Sequence, residues 1–556
     1  MIIDFRQTEA PTDFQTDICI VGAGAAGLTL ATQLDGKFRV ILVEAGDRNP
    51  PRGRDDWLIG SAEGITFEGF EAGRRRSFGG ATKGWFGQCL RLDPMDFEKR
   101  DWVPNSGWPI SSAEVSSFYD RAETLLGLGA PKYDAQLWRA AGRPEPEFNN
   151  SDITPRFTVY CRQPDLTKTL GKPLIGQTST ITVMLNATAT EIVLADNAGS
   201  VDALKIRTDG GRRGSVRAKA FVLCGGGIEN PRLLLASHSV QTAGVGNAHD
   251  LVGRFFQDHP SGTSGLITTP SPRALQNQFR KFRTQGHLVW PKLALTAAAQ
   301  LRWQLLNANA LILCDYDETS ALTTAKKAIS LAKARQPVAL AKHSLRLGRS
   351  LPELLLRGSH SVMTGLAPVF TAKQVMLKTH VEQVPDADNR IRLSPERDKF
   401  GQPRAQLTWR IHPYELKTMA GITQAVGAEL QRLGFGTMTN AAWLDQPPSM
   451  AQAHIEDTYH HAGTTRMAAT SSAGVVDPEC RVFGVANLFV AGGSVFPTSG
   501  YANPTLTIVA LAIRLGDTLK RHYGGERMAP PPVASSPQPA LFQCERESAT
   551  GCGPRA

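Results

Sequence analysis

Three stretches of the chain are apolar and β-branched until they run into glycine: DICIVGAGAAG from Asp17, KAFVLCGGGIENPRLLLAS from Lys219 and VANLFVAGGSVFP from Val485. Runs of this kind predict strands buried on both faces, hence parallel, each passing through a Gly-rich turn into a helix as in a doubly wound sheet. Between the second and third runs, roughly Gly262 to Leu444, the pattern changes. Segments such as VMLKTHVEQ, NRIRLSPE and AQLTWRI alternate apolar with polar positions, which predicts strands with one wet face in an antiparallel sheet. The expected fold class is α/β: a discontinuous Rossmann-like nucleotide-binding domain, with an inserted α+β antiparallel-sheet domain. After about Arg521 the chain becomes rich in Pro, Ser and Gly, which predicts a disordered tail over 526–556.

A length of 556 residues allows two sizeable domains. The N-terminus, MIIDFRQTEAPTDFQ, has no basic region ahead of an apolar run and no twin arginine, and no stretch offers the roughly 18 apolar residues of a spanning helix. A soluble cytoplasmic protein is expected. The eight cysteines are scattered without a CxxC, which suggests neither a disulfide framework nor a zinc site, and Cys19 and Cys224 fit buried strands. The formal charge of +10 is uneven: residues 321–357 hold eight Lys or Arg against one acid, Glu353. That segment reads as two basic amphipathic helices broken at Pro337, either a solvated insertion or a patch for a membrane surface or an acidic partner. No nucleic-acid motif accompanies the charge, so nucleic acid is not an expected partner.

The first run supplies Gly22, Gly24 and Gly27, with Ala25 and Ala26 between them, in G-x-G-x-x-G spacing. Gly22 permits the turn, Gly24 lets backbone approach a pyrophosphate on the helix N-terminus, and Gly27 lets helix and strand pack closely. About 20 residues on, Glu44 ends the run VILVEAG, where its carboxylate can accept from the ribose hydroxyls of an adenosine. A tight βα turn that binds nothing is the plainer alternative. No second pattern of this kind has a strand before it and a helix after it, so the nucleotide is either NAD alone or a flavin reduced directly by the substrate.

The segment SFGGATKGWFGQCLRLDPMDF, Ser77 to Phe97, resembles the flavin-side loop of the glucose-methanol-choline oxidoreductases, with Gly79, Gly80, Trp85, Arg91 and Asp96 in that family's spacing. VLCGGGIENPRLLLAS, NAHDLVGRFFQDHP and the stretch from Val475 to Leu519 are similar to the family as well, and the resemblance runs from Asp17 to Lys520, weakest over 262–375. It implies FAD, held by Gly22, Gly24, Ala25, Ala26, Gly27, Glu44, Ala45, Gly79, Gly80, Thr82, Trp85, Gly87, Gly493, Asn503, Pro504 and Thr505. It also implies an FAD-binding domain from 1–110, 175–261 and 445–525, and a substrate domain from 111–174 and 262–444. Some family members tether the flavin through a histidine after the position of Lys83; this chain has Gly84 there, so noncovalent FAD is expected.

In YHHAGTTRM, Tyr459 to Met467, His460 stands three residues before Gly463. By residue type alone it is a loop histidine. The resemblance makes it the base that faces the flavin, with Asn503 as its partner. Asn503 precedes Pro504 and an apolar-periodic run, so it also suits a helix N-cap. His454, Glu456, Asp457, His460 and His461 could form a metal site, but beside flavin motifs no metal is expected. The implied reaction is oxidation of an alcohol, sugar- or polyol-like, with the proton passing to His460 and hydride to flavin N5, and with oxygen or another acceptor reoxidising the cofactor. The rivals are a cyanohydrin lyase of the same fold and a redox-inactive binding protein.

Overall fold

The computed structural model describes residues 1–524 except Thr8, Ala10, Arg52, Arg54, Asn150, Ala334, Arg335 and Gly365; the tail expected at 526–556 lies outside the described residues. The first sheet places Ile2–Asp4, Ile181–Leu185, Val40–Val43, Asp13–Val21 and Arg213–Leu223 side by side and parallel. On its other side Arg213–Leu223 meets two partners in turn: Val201–Arg207 antiparallel at its start and Leu488–Val490 parallel at its end. All three apolar runs therefore end at one edge, with Val21, Leu223 and Val490 at the same level.

The first two runs open into the helices Ala25–Leu34 and Gly226–Ala236. The third enters only a short 3-10 turn, Gly493–Val495, where a helix is expected. The carbonyls of Gly493, Ser494 and Val495 accept from the amides of Gly463, Thr465 and Met467, so a neighbouring segment takes the acceptors that a helix would use. The helix arrives only at Thr505–Tyr523 and packs on Ala25–Leu34.

The second sheet is antiparallel, in the order Thr437–Asn440, Ser261–Thr268, Gln374–Val381, Ala308–Asp315, His287–Leu295, Ile153–Tyr160, Gln88–Cys89. The helix Pro413–Arg432 covers one face, and Leu293, Ala310 and Leu377 are buried on that side. VMLKTHVEQ lies in this sheet. The other two alternating segments do not: Arg390–Arg397 and Pro403–Trp409 form a hairpin that adds in parallel to Gly60–Gly64, making a separate three-stranded sheet. Alternation fixes which face is wet and leaves the pairing partner open.

The basic segment forms the helices Ala321–Lys333 and Pro337–Thr364, the second reaching seven residues beyond Arg357. Among the described residues no helix is long and apolar enough to cross a membrane.

Candidate active site

Gly22 has φ +102°, and a Cβ there would stand 2.8 Å from the Cys224 carbonyl oxygen, so the turn and the adjoining strand both demand glycine. A Cβ on Gly27 would meet the Gly22 oxygen at 1.9 Å, whereas one on Gly24 would meet nothing within 4 Å. Helix Ala25–Leu34 begins at Gly24 with no side chain capping it. Its first-turn N–H groups, which include those of Ala25, Ala26 and Gly27, thus face open space with the helix dipole behind them, a fit for a pyrophosphate. Glu44 is buried, its Oε2 accepting from the Ala23 amide at 3.0 Å and its Oε1 from the Gly46 amide at 2.8 Å. Burial pushes this carboxyl up, and those amides with the Arg76 guanidinium pull against it. Arg76 also donates to the Ala45 carbonyl.

The loop from Ser77 is strapped onto this turn. The Gly79 amide donates to the Ala23 carbonyl at 2.9 Å, a Cβ on Gly80 would stand 3.0 Å from Gly24 Cα, and the Thr82 hydroxyl donates to the Gly79 carbonyl at 2.6 Å. Trp85 and Gly87 turn instead toward the 161–164 segment: Trp85 Nε1 donates to the Pro164 carbonyl at 2.6 Å, and a Cβ on Gly87 would stand 2.8 Å from Cys161 Sγ.

His460 is placed by a pairing between stretches about 200 residues apart. Gln257 bridges Ala462 and Ser261 bridges Glu456, both antiparallel, and Asp258 and His259 lie between these rungs. Asp258 is fully buried and gathers the turn, accepting from the Thr458 hydroxyl at 2.6 Å, the His259 amide at 2.6 Å and the His460 and Tyr459 amides at 3.1 Å. Burial pushes its carboxyl up and these donors draw it back. Gly463 closes the turn at φ +86°, where a Cβ would be 2.1 Å from the Phe255 oxygen. The H-x-x-G spacing is therefore steric in origin.

The rings of His460 and His259 meet at Nδ1, 3.0 Å apart. Two imidazole nitrogens at that distance share one proton. His259 is 1% exposed, and burial lowers its pKa to about 3 while the nearby Ser499 backbone pulls the other way. The Asn503 amide nitrogen is a donor and faces His460 Nε2, so Nε2 is unprotonated and the shared proton belongs to His460 Nδ1. The Thr458 oxygen, 3.1 Å away, is a second acceptor for it. That leaves the lone pair on His460 Nε2, where it accepts from the Asn503 Nδ2 group at 3.3 Å. Burial first, then the charges of His259, His380, Lys292 and His461, hold His460 well below its ordinary pKa, so it is a neutral base at pH 7.

Asn503 is not the helix cap that its position suggests. The helix starts at Thr505 with Pro504 at the cap position and no side-chain cap bond. The Asn503 amide is turned to His460, and its Oδ1 is buried without a hydrogen-bond partner. A cap bond and a bond to His460 compete for one short side chain. Gly493 stands behind the turn, accepting from the Gly463 amide at 3.2 Å. His461 points away from Asn503, its ring packed beside Phe67 and Phe256 with centroids 5.2 and 6.1 Å distant.

Two sequence profiles described as GMC oxidoreductase match residues 169–261 and 385–512, the ranges that hold His259 in one and His460 with Asn503 in the other. The chain belongs to the GMC oxidoreductase family. Among its relatives are the 2-methyl-1,2-propanediol dehydrogenase of Mycolicibacterium austroafricanum, 25% identical over 92% of this chain and 96% of that one, and the paromamine 6'-oxidase of Streptomyces fradiae, 24% identical over 91% and 92%. A fungal aryl-alcohol oxidase shares the fold, with a TM-score of 0.57 over 92% of this chain and 100% of that one at 14% identity. FAD is the cofactor of this GMC oxidoreductase, and the open, uncapped helix start at Gly24 fits it. Sequence reasoning gave no role to Asp258, His259, His380, Lys292 or Asn309. The first two lie in the quoted FFQDHP, where an acid beside a histidine was the available signal.

Proposed function

We propose that the protein oxidises the CH–OH group of a small sugar- or polyol-like alcohol to a carbonyl, with noncovalently held FAD as acceptor, His460 as base and Asn503 as its partner. One observation carries the assignment of these roles: His460 Nε2 carries no proton and faces the Asn503 amide, whose oxygen is buried without a partner. The diol dehydrogenase and the paromamine oxidase among its relatives support the substrate class.

An alkyl hydroxyl is far too weak an acid to ionise unaided, so its proton must reach a base as the carbinol C–H bond breaks. His460 Nε2 receives that proton. Asn503 donates to the substrate oxygen and fixes which lone pair faces the imidazole. His259 keeps the His460 Nδ1 proton in place, so that the receiving nitrogen is always Nε2. Bound FAD would supply the acceptor for the hydride equivalent that leaves the carbinol carbon. Gly84 offers no side chain for a covalent tether, and a Cβ there would come no closer than 3.7 Å to a neighbour.

The test is anaerobic mixing of the purified holoenzyme with a panel of sugars, polyols and aliphatic alcohols while flavin absorbance is followed. Bleaching by one class is expected, and bound flavin that nothing bleaches would overturn the reading. On re-admitting air, the speed of recovery distinguishes oxygen from another electron acceptor.

We also assign the helical pair 321–364 to contact with an anionic membrane surface. Leu345, Leu355, Leu356, Val362 and Met363 are exposed there beside Lys342, Arg346 and Arg349, the mixture of apolar and basic groups that an interfacial helix uses. Co-sedimentation with phosphatidylserine-containing vesicles is expected at low ionic strength, with release at about 0.5 M salt, where screening is short-ranged. Equal recovery with pure phosphatidylcholine vesicles would remove the assignment.

A further inference from the structure

The second sheet has one face against the helix Pro413–Arg432. Alternation along its strands puts a different set of residues on the other face: Thr158, Lys292, Asn309, His380 and Ser261. Register links them into one row. Thr158 is opposite Trp290, the next same-face residue to Lys292; Ala294, the following one, is opposite Asn309; Asn309 is opposite His380, and His380 is opposite Ser261. Ser261 bridges Glu456 on the stretch that carries His460, so the row leads to the catalytic turn.

Apart from the half-buried His380, this row is buried, polar and unsatisfied. Thr158 and Asn309 are both 0% exposed; the Thr158 hydroxyl, both amide atoms of Asn309 and the Ser261 hydroxyl have no hydrogen-bond partner. Lys292 is 5% exposed, and among the described residues its ammonium takes part in no hydrogen bond or ion pair. Its cross-strand neighbour Arg156 is tied to Asp93 at 2.9 Å, and Lys281 lies over the rings of Trp290 and Tyr160. The charges that act on or feel Lys292 are Lys281, His259, His380 and His460, with no carboxylate among them. Four adjoining side chains with unmet polar groups in a folded protein point to a ligand that meets them. A buried ammonium without a counter-ion asks for an anion.

We infer that the alcohol oxidised here carries a carboxylate, held by Lys292 with Asn309 and Thr158 while its CH–OH group lies at His460. The inference rests on the oxidation reading above and names its substrate class: hydroxy acids such as aldonates and uronates. One positive charge flanked by neutral donors matches a monoanion with two acceptor oxygens. A phosphate dianion would leave a second charge unmatched.

Matched pairs test it on the holoenzyme, gluconate against glucitol and glucuronate against glucose, by anaerobic flavin reduction. The acid of the preferred pair is expected to exceed its neutral partner in kcat/KM by at least about a hundredfold, as a buried charged contact allows. In Lys292→Met the ratio should collapse to near one, and Lys292→Arg should restore part of it. Neutral partners that match or exceed the acids in the wild type would overturn the inference and leave the oxidation reading intact. An acid preference unchanged in Lys292→Met would overturn it as well. If no alcohol of either kind reduces the flavin, the oxidation reading falls, and titration with gluconate still decides the anion site. A saturable change in flavin absorbance that Lys292→Met abolishes supports the site, and the same response in both proteins rejects it. Should Lys292→Met fail to fold, Asn309→Leu carries the test, with loss confined to the acids.

Discussion

The His460→Ala protein is expected to bind FAD as the wild type does and to reduce it roughly a hundred- to ten-thousandfold more slowly when mixed with its alcohol in the absence of air, the usual worth of a positioned general base. The expectation follows from the arrangement at the ring. Nε2 is the ring nitrogen that keeps its lone pair, because the Nδ1 proton is already shared with His259. The pH dependence has a definite sign. The pKa of His460 is lowered well below 6.5, chiefly by burial, so the base is competent at neutral pH and loses function only as pH falls through that lowered value. The acid limb of kcat/KM should therefore lie below pH 6.5, and it should vanish in the variant. Wild-type reduction kinetics in His460→Ala would remove this residue from the chemistry.

Gly463→Ala should be the most damaging single methyl group in the catalytic turn. It meets two separate penalties: a left-handed φ of +86°, and a backbone oxygen, that of Phe255, 2.1 Å from the new carbon. Together they cost roughly 2–5 kcal/mol, and relief requires opening the Gln257–Ala462 pairing that holds His460 against His259. Thermal unfolding of the holoprotein should show a clear fall in midpoint, with flavin reduction slowed beyond what partial unfolding explains. Gly348→Ala is the matched control. It sits in an exposed helix with nothing within 4 Å of the new carbon, so it should be neutral or slightly stabilising. Similar losses in both would mean that the turn at Gly463 tolerates strain.

What the sequence displayed of this site divides along physical lines. The Gly22 to Gly27 turn was legible because it is a local steric demand written in glycines, whereas His460, a plain loop histidine by residue type, stood out only through the resemblance that its spacing to Gly463 carries. Asp258 and His259 were not legible, although FFQDHP is as plain a string as YHHAG. Their part is created by antiparallel pairing between 257–261 and 456–462, and nothing local in either stretch announces that pairing. Asn503 was legible as two readings at once: the same short amide suits a helix start and a partner for His460, and only the direction of the side chain separates them. The row from Thr158 to Ser261 was hidden for another reason. Its polar residues are spread over five strands, each of which, taken alone, looks like half of a wet face.

The sheet that cradles the nucleotide has a consequence for the order in which this protein is made. Asp13–Val21 pairs with Arg213–Leu223, whose end pairs in turn with Leu488–Val490, and the helix that packs on Ala25–Leu34 is Thr505–Tyr523. During synthesis the strand Asp13–Val21 must therefore wait for Arg213–Leu223, and the helix Ala25–Leu34 for nearly the whole chain, before their neighbourhoods are complete. Contacts of such long sequence separation form slowly and leave apolar strand edges open in the meantime. The Gly22 to Gly27 turn thus gains its packing helix only at or after chain termination. A cell that makes the polypeptide faster than it can complete this sheet would accumulate colourless, aggregation-prone protein even with ample FAD.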